Sequence, residues 1–66
     1  MNNTNSNVLQ RLRIGKQYMF SFTHRKGGLG IVCEVDRDNE SFVVYDVANK
    51  GYERIPLRRL RACESV

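Results

Sequence analysis

The chain has one histidine, two cysteines, one proline and no apolar run longer than a few residues. Each scarcity removes a class of function. Cys33 and Cys63 lie far apart, no Cys-x-x-Cys pair exists and His24 stands alone, so one chain does not assemble a zinc site of four nitrogen or sulfur ligands. Without a long apolar stretch there is no membrane-spanning segment. Without a signal peptide the two cysteines read as reduced thiols of a cytoplasmic protein, although one disulfide is possible in principle. Sixty-six residues make one domain at most. A domain of about 60 residues buries only about 60% of its unfolded surface and is marginally stable, which leaves no room for a cleft between two lobes.

Catalytic pairs are equally scarce. His24 with Cys33 or Cys63 would make a thiol pair, but nothing in the sequence fixes their geometry. Cys33 falls in an apolar alternation and reads as an inert, buried thiol. Asp36 and Asp38 sit too near a turn to serve as a general-acid pair. The expectation is a protein that is not an enzyme and uses no cofactor or metal. Symmetric oligomerisation is the route by which so small a chain would build an active site, and the sequence does not disclose oligomeric state.

Residues 1–7, MNNTNSN, contain four asparagines and no large aliphatic cluster, so they read as a disordered tail. Residues 8–66 form the domain. Its lead-in, SNVLQRLRIG, has two readings. Ser6 or Asn7 caps a two-turn helix that ends at Gly15, with Val8 and Leu12 spaced i, i+4. Alternatively an irregular segment docks Leu9 or Leu12 on the core.

From Lys16 the apolar period becomes two. KQYMFSFTH places Tyr18, Phe20 and Phe22 on one face of a strand. LGIVCEVD places Ile31, Cys33 and Val35 together, with Glu34 and Asp36 opposite. RDNE is a turn, with Asp38 and Asn39 suited to local hydrogen bonds. SFVVYDV is apolar on both faces and reads as central. ANKG is a second turn, in which Gly51 is the residue that tolerates positive φ. YERI is a fourth strand ended by Pro56, PLRRL is one 3₁₀ turn with Leu57 and Leu60 facing inward, and RACE is a short fifth strand. The predicted core is Phe20, Ile31, Val35, Val44, Ile55 and Leu60. Short strands at this spacing argue for an all-β fold, a small barrel or sandwich whose closure removes exposed edges.

The stretch HRKGGLGIV, residues 24–32, tests for a phosphate-cradling loop. A Walker loop fails because Lys26 precedes the glycines and no Ser or Thr follows. A dinucleotide fingerprint fails because no helical pattern follows Gly30. Gly27-x-x-Gly30 has the GXXG spacing of KH domains, but its neighbours alternate like strands. The glycines therefore read as a hairpin turn and a tight strand position, from which Arg25 and Lys26 still project.

RKGGLGIVCEVDRDNESFVVYDV resembles the KOW motif of ribosomal and transcription-factor domains, and YERIPLRRLRA resembles the end of Tudor-like SH3 barrels. Together these cover about residues 16–63. The resemblance implies an SH3-like five-stranded barrel, with a short 3₁₀ turn near the C-terminus, that binds RNA, DNA or a protein. The chain departs from it in two ways. Most of the six aromatics read as core rather than as a methyl-lysine cage, and the N-terminal lead-in is extra.

Charge is segregated along the chain. Residues 1–26 hold five cations and no acid, residues 27–53 two cations and six acids, and residues 54–66 four arginines and Glu64, so the balance runs +5, −4 and +3. If the first and last strands are neighbours, the two basic ends merge into one face. Arg11, Arg13, Lys16, Arg25, Lys26, Arg54, Arg58, Arg59 and Arg61 are the candidate binding residues, since arginine forks match phosphates and stack on bases. The expected function is a small non-catalytic module that binds nucleic acid or regulates through this face. The alternative is an adaptor or inhibitor that grips an acidic protein through the same arginines.

Overall fold

The computed structural model describes residues 4–66. A helix α1 (Thr4–Arg11) leads into strands β1 (Gln17–Phe22), β2 (Gly28–Asp36), β3 (Ser41–Asp46) and β4 (Gly51–Pro56). A 3₁₀ turn (Leu57–Arg59) then joins β4 to β5 (Leu60–Ser65). Of the segment assigned to a tail, residues 1–3 lie outside the described residues, while residues 4–7 form the start of α1.

The helical lead-in is stabilised by docking, since eight residues are too few to be stable alone in water. Leu9 within it and Leu12 just beyond it are buried, with Val8 packed beside them. The chain then turns at Gly15, whose φ of +90° suits glycine.

The five strands make one antiparallel sheet in the order β4-β3-β2-β1-β5. Among the described residues no ladder joins β4 to β5, so the sheet is not closed. It is nonetheless strongly curled, because only three residues carry the chain from one edge strand to the other. At about 2 Å rise per residue, that link spans only a few ångströms. Two backbone bonds hold it: Leu57 N–H donates to the Glu40 carbonyl and Thr23 N–H to the Arg59 carbonyl, both at 2.8 Å.

The core fills the inside of the curl. Phe20, Val44, Ile55 and Leu60 are buried as the alternation predicts, together with Tyr18, Phe22, Phe42 and Leu57. The Phe20 ring stacks on Phe22 and Phe42, with centroids 5.6 and 5.7 Å apart. Gly30 lies in this layer, and a side chain there would collide with Val44 and press on the Phe20 ring. Gly27 abuts the Phe20 carbonyl in the same way. These two glycines serve close packing.

The face assigned to β2 is corrected. Val32, not Ile31, is the core residue, at 0% exposure. Ile31 is half-buried opposite Tyr45, and Cys33 is exposed rather than buried. The cause is a β-bulge. Val32 pairs with Val44 and Glu34 with Val43, so Cys33 is the extra residue and the alternation changes phase across it. Beyond the bulge Val35 turns inward, half-buried against the core.

The turn after β3 also differs from expectation. Lys50, not Gly51, takes the positive φ, at 57°, and Glu40 does the same at 52° before β3. Both hairpins close by one device. Asn39 donates to the Asp36 carboxylate and Asn49 to the Asp46 carboxylate, through backbone and side-chain nitrogens alike. No helix among the described residues is long and apolar enough to cross a membrane.

Candidate functional site

The pairing of β1 with β5 decides where the cations go. Tyr18 lies opposite Ser65, Phe20 opposite Cys63 and Phe22 opposite Leu60, with a bulge that leaves Arg61 as the extra residue on β5. The N-terminal and C-terminal basic segments therefore meet along one seam. At one end of it, Arg11, Arg13 and Lys16 line a groove of about 240 Å³ with Val8, Leu12, Tyr18, Cys63 and Ser65. At the other end, Arg61 borders a recess with Ser21, Phe22, Arg25, Lys26 and Gly27. Arg58 and Arg59 are exposed on the 3₁₀ turn between the two edge strands.

Two of the nine candidate cations are tied down. Arg25 lies with its guanidinium 4.6 Å above the Phe22 ring and contacts Glu53 at 2.7 Å and Asp46 at 3.6 Å. Its Nη1 also donates to the Lys26 carbonyl. Arg54 sits on the far edge strand β4, donating to Ser41 Oγ at 3.0 Å and to Glu34 at 3.4 Å. The other seven — Arg11, Arg13, Lys16, Lys26, Arg58, Arg59 and Arg61 — have no carboxylate within 4 Å among the described residues.

The Arg25 cluster closes the mouth of the curl. His24 also reaches Glu53, at 3.2 Å, and its ring leans on Phe22. Burial raises the Glu53 carboxyl's affinity for a proton, but the hydrogen bonds and charges of His24 and Arg25 outweigh it and hold the group below its ordinary value. His24 thus faces a carboxylate rather than a thiol, and both cysteines are free. The Cys63 thiol is pushed up by burial, against the opposing charge of nearby Arg11.

A larger groove, about 990 Å³, lies elsewhere, between the loop after α1 and the β2–β3 hairpin. Glu34, Asp36 and Asp38 line it together with Arg13 and Arg37, a mixed lining that does not select an anion.

Two features, one in the site and one on β4, have no signature in the sequence. Tyr18 is a core residue by alternation, yet its hydroxyl accepts the Arg13 N–H at 3.0 Å and donates to the Arg11 carbonyl at 3.4 Å. Tyr52 is 72% exposed on the outer face and meets Tyr45 edge-on at 5.1 Å. The alternation of YERI signals that one of Tyr52 and Glu53 faces out, but not that the ring stays uncovered.

Comparison with protein-family models, with curated proteins and with solved structures returns no match for this chain.

Proposed function

We propose that the chain is a non-catalytic module that binds the phosphate backbone of RNA or DNA along the β1–β5 seam. The observation that carries this reading is the meeting of Arg11, Arg13 and Lys16 with the β5 end, and of Lys26 with Arg61, all without carboxylate partners among the described residues. Cations left unpaired on one seam attract a polyanion and release its counterions on contact.

The same proposal reads the curled sheet as an SH3-like barrel left open on one side. The strand order, the bulged nine-residue β2 and the 3₁₀ turn between β4 and β5 support it. The Tudor-like methyl-lysine use of such folds is disfavoured, because Tyr18, Phe20, Phe22 and Phe42 are all buried.

A second reading, an adaptor or inhibitor for an acidic protein, has its own observation. Met19, Val47 and Tyr52 are exposed apolar or aromatic side chains on or beside the outer side of the sheet, and Ile14 is exposed before β1. Capturing the tagged chain on beads from a lysate of its source, with and without nuclease, separates the two. Nucleic acid that co-elutes and is lost on nuclease treatment supports the first reading. A stoichiometric acidic protein that survives nuclease supports the second. A cytoplasmic setting is part of the proposal, supported by the two free thiols.

A further inference from the structure

We propose that the groove between the end of α1 and the β1–β5 pair is a discrete phosphate site. In it Arg11, Arg13 and Lys16 are the binding groups and Tyr18 is the residue that positions them. This deepens the nucleic-acid reading and rests on it for the source of the phosphate. The shared chemistry is a phosphate ester, either a backbone diester or a terminal monoester.

The argument starts from the backbone. A cluster of surface arginines and lysines usually binds anions weakly, because long side chains on a loose loop lose entropy when they are ordered. Here the loop that carries them is fixed along its length. Leu12, between the two arginines, is buried in the core. Tyr18, itself buried, spans the two peptides that flank Leu12, accepting the Arg13 N–H and donating to the Arg11 carbonyl. Lys16 N–H donates to the Arg13 carbonyl at 3.1 Å, closing the turn. Gly15 N–H donates to the Val32 carbonyl at 2.7 Å and Val32 N–H to the Lys16 carbonyl at 3.1 Å, which ties the turn to β2. The three Cα positions are therefore set before any ligand arrives.

The side chains leave from this frame toward one space. With Leu12 held inward, Arg11 and Arg13 are both exposed at its flanks. Lys16 places its ammonium 5.9 Å from the centre of the Tyr18 ring. All three line the same groove, about 240 Å³ in volume, which has room for a phosphate with an attached sugar, and Arg13 also borders the groove beside the β2–β3 hairpin. Glu64, the sole acid on β5, is exposed and lies between Cys63 and Ser65, the two β5 residues that line the groove, so strand geometry turns it to the other face. Two guanidinium forks and one ammonium around a small space match the oxygens of a phosphate ester.

The test uses the full chain and amide-resolved NMR titrations with three probes: a 12-nucleotide single strand ending in a 5′-hydroxyl, the same strand with a 5′-phosphate, and a nucleoside monophosphate. Shifts of the Arg11, Arg13, Lys16 and Tyr18 amides are expected with at least one probe. Tighter binding of the phosphorylated strand and of the monophosphate assigns a terminal monoester, and equal binding of both strands assigns a backbone diester. Tyr18→Phe keeps the ring in the core and removes only the hydroxyl. It removes both of the hydroxyl's hydrogen bonds to the loop, should weaken binding about fivefold, and should reduce the shifts at Arg11 and Arg13 while leaving β3 and β4 unchanged.

Val44→Ala supplies the control: it destabilises the core from β3, where the residue packs beside Gly30 and Phe20 and does not line the groove. It should leave affinity at the parent level wherever it is folded. Affinity that follows stability across both variants, rather than the hydroxyl, overturns the positioning role. Strands that bind with no shift at these four amides, and unchanged in Arg11→Gln/Arg13→Gln, overturn the site but leave the nucleic-acid reading standing. Monophosphate shifts without strand binding have the opposite meaning: the site stands and the nucleic-acid reading falls.

Discussion

The bulge at Cys33 makes a prediction that inverts ordinary intuition about size. Val32→Ala removes less side chain than Ile31→Ala, yet it should cost more stability. Val32 is fully enclosed opposite Val44, whereas Ile31 is half-buried opposite Tyr45. Removing two buried carbons forfeits about 1.6 kcal/mol at about 0.8 kcal/mol each. The cavity left in a closed site brings the total to about 2–3 kcal/mol. Ile31→Ala removes three carbons from a site already half in water, for about 1 kcal/mol. The whole domain holds roughly 3–10 kcal/mol at the usual per-residue stability, so the first loss is a large fraction. At about 4–8 °C per kcal/mol for a domain this small, Val32→Ala should lower Tm by about 10–20 °C and Ile31→Ala by roughly 5 °C. Thermal and urea unfolding followed by circular dichroism measure both. An Ile31→Ala variant less stable than Val32→Ala would refute the bulge and restore simple alternation along β2.

Other outcomes follow from the site. Glu53 has its carboxyl held below its ordinary value of 4.5, so its contribution to stability is present above that pH and is lost as pH falls through the lower folded value. Asp36 and Asp46, lowered chiefly by their hydrogen bonds from Asn39 and Asn49, act in the same direction. Acid titration of Tm should therefore show a fall below about pH 4.5 that is shallower in Glu53→Gln, and an equally steep fall in that variant would show that the ion-pair cluster is not its source. Exposed Cys33 should react with a thiol reagent faster than Cys63, which is half-buried and harder to deprotonate; mass spectrometry of partly labelled chain reads the order, and the reverse order would contradict the placement of β5.

Most of the fold was legible in the sequence because its signals were local. Tyr18, Phe20 and Phe22 alternate without interruption, Pro56 ends β4 because it lacks an amide hydrogen, and Leu57 and Leu60 bracket a single 3₁₀ turn. What was not legible depends on tertiary contact. The bulge at Cys33 is decided by how β2 meets β3, and a run such as Gly-Ile-Val-Cys supports either phase equally well. Lys50 rather than Gly51 takes the positive φ because the hairpin register, not residue preference, chooses the turn position. The helix start at residue 4 is supported by the docking of Leu9 and Leu12, which composition does not reveal.

The site was legible in part for the same reason. Segregated charge along the chain, joined to the expectation that first and last strands are neighbours, places Arg11, Arg13, Lys16, Lys26 and Arg61 on one seam. Sequence does not say which cations are already occupied. Arg25 and Arg54 look like the rest until Glu53, Asp46 and Glu34 are seen beside them.

The most direct test of the nucleic-acid proposal is fluorescence anisotropy with single- and double-stranded oligonucleotides at several salt concentrations. The comparison is among the parent chain, Lys26→Ala/Arg61→Ala and Arg54→Ala. Affinity should fall by roughly 0.7–0.9 log units per log unit of salt for each phosphate neutralised. The double variant should weaken binding across sequences and flatten that slope by up to about two, while Arg54→Ala, a change on the far edge strand, should match the parent. No binding of either oligonucleotide at low salt, to a Kd of about 0.1 mM, the weak end of non-specific affinity, would contradict the proposal outright. An Arg54→Ala variant as impaired as the double variant would contradict the placement of the interface on the β1–β5 seam.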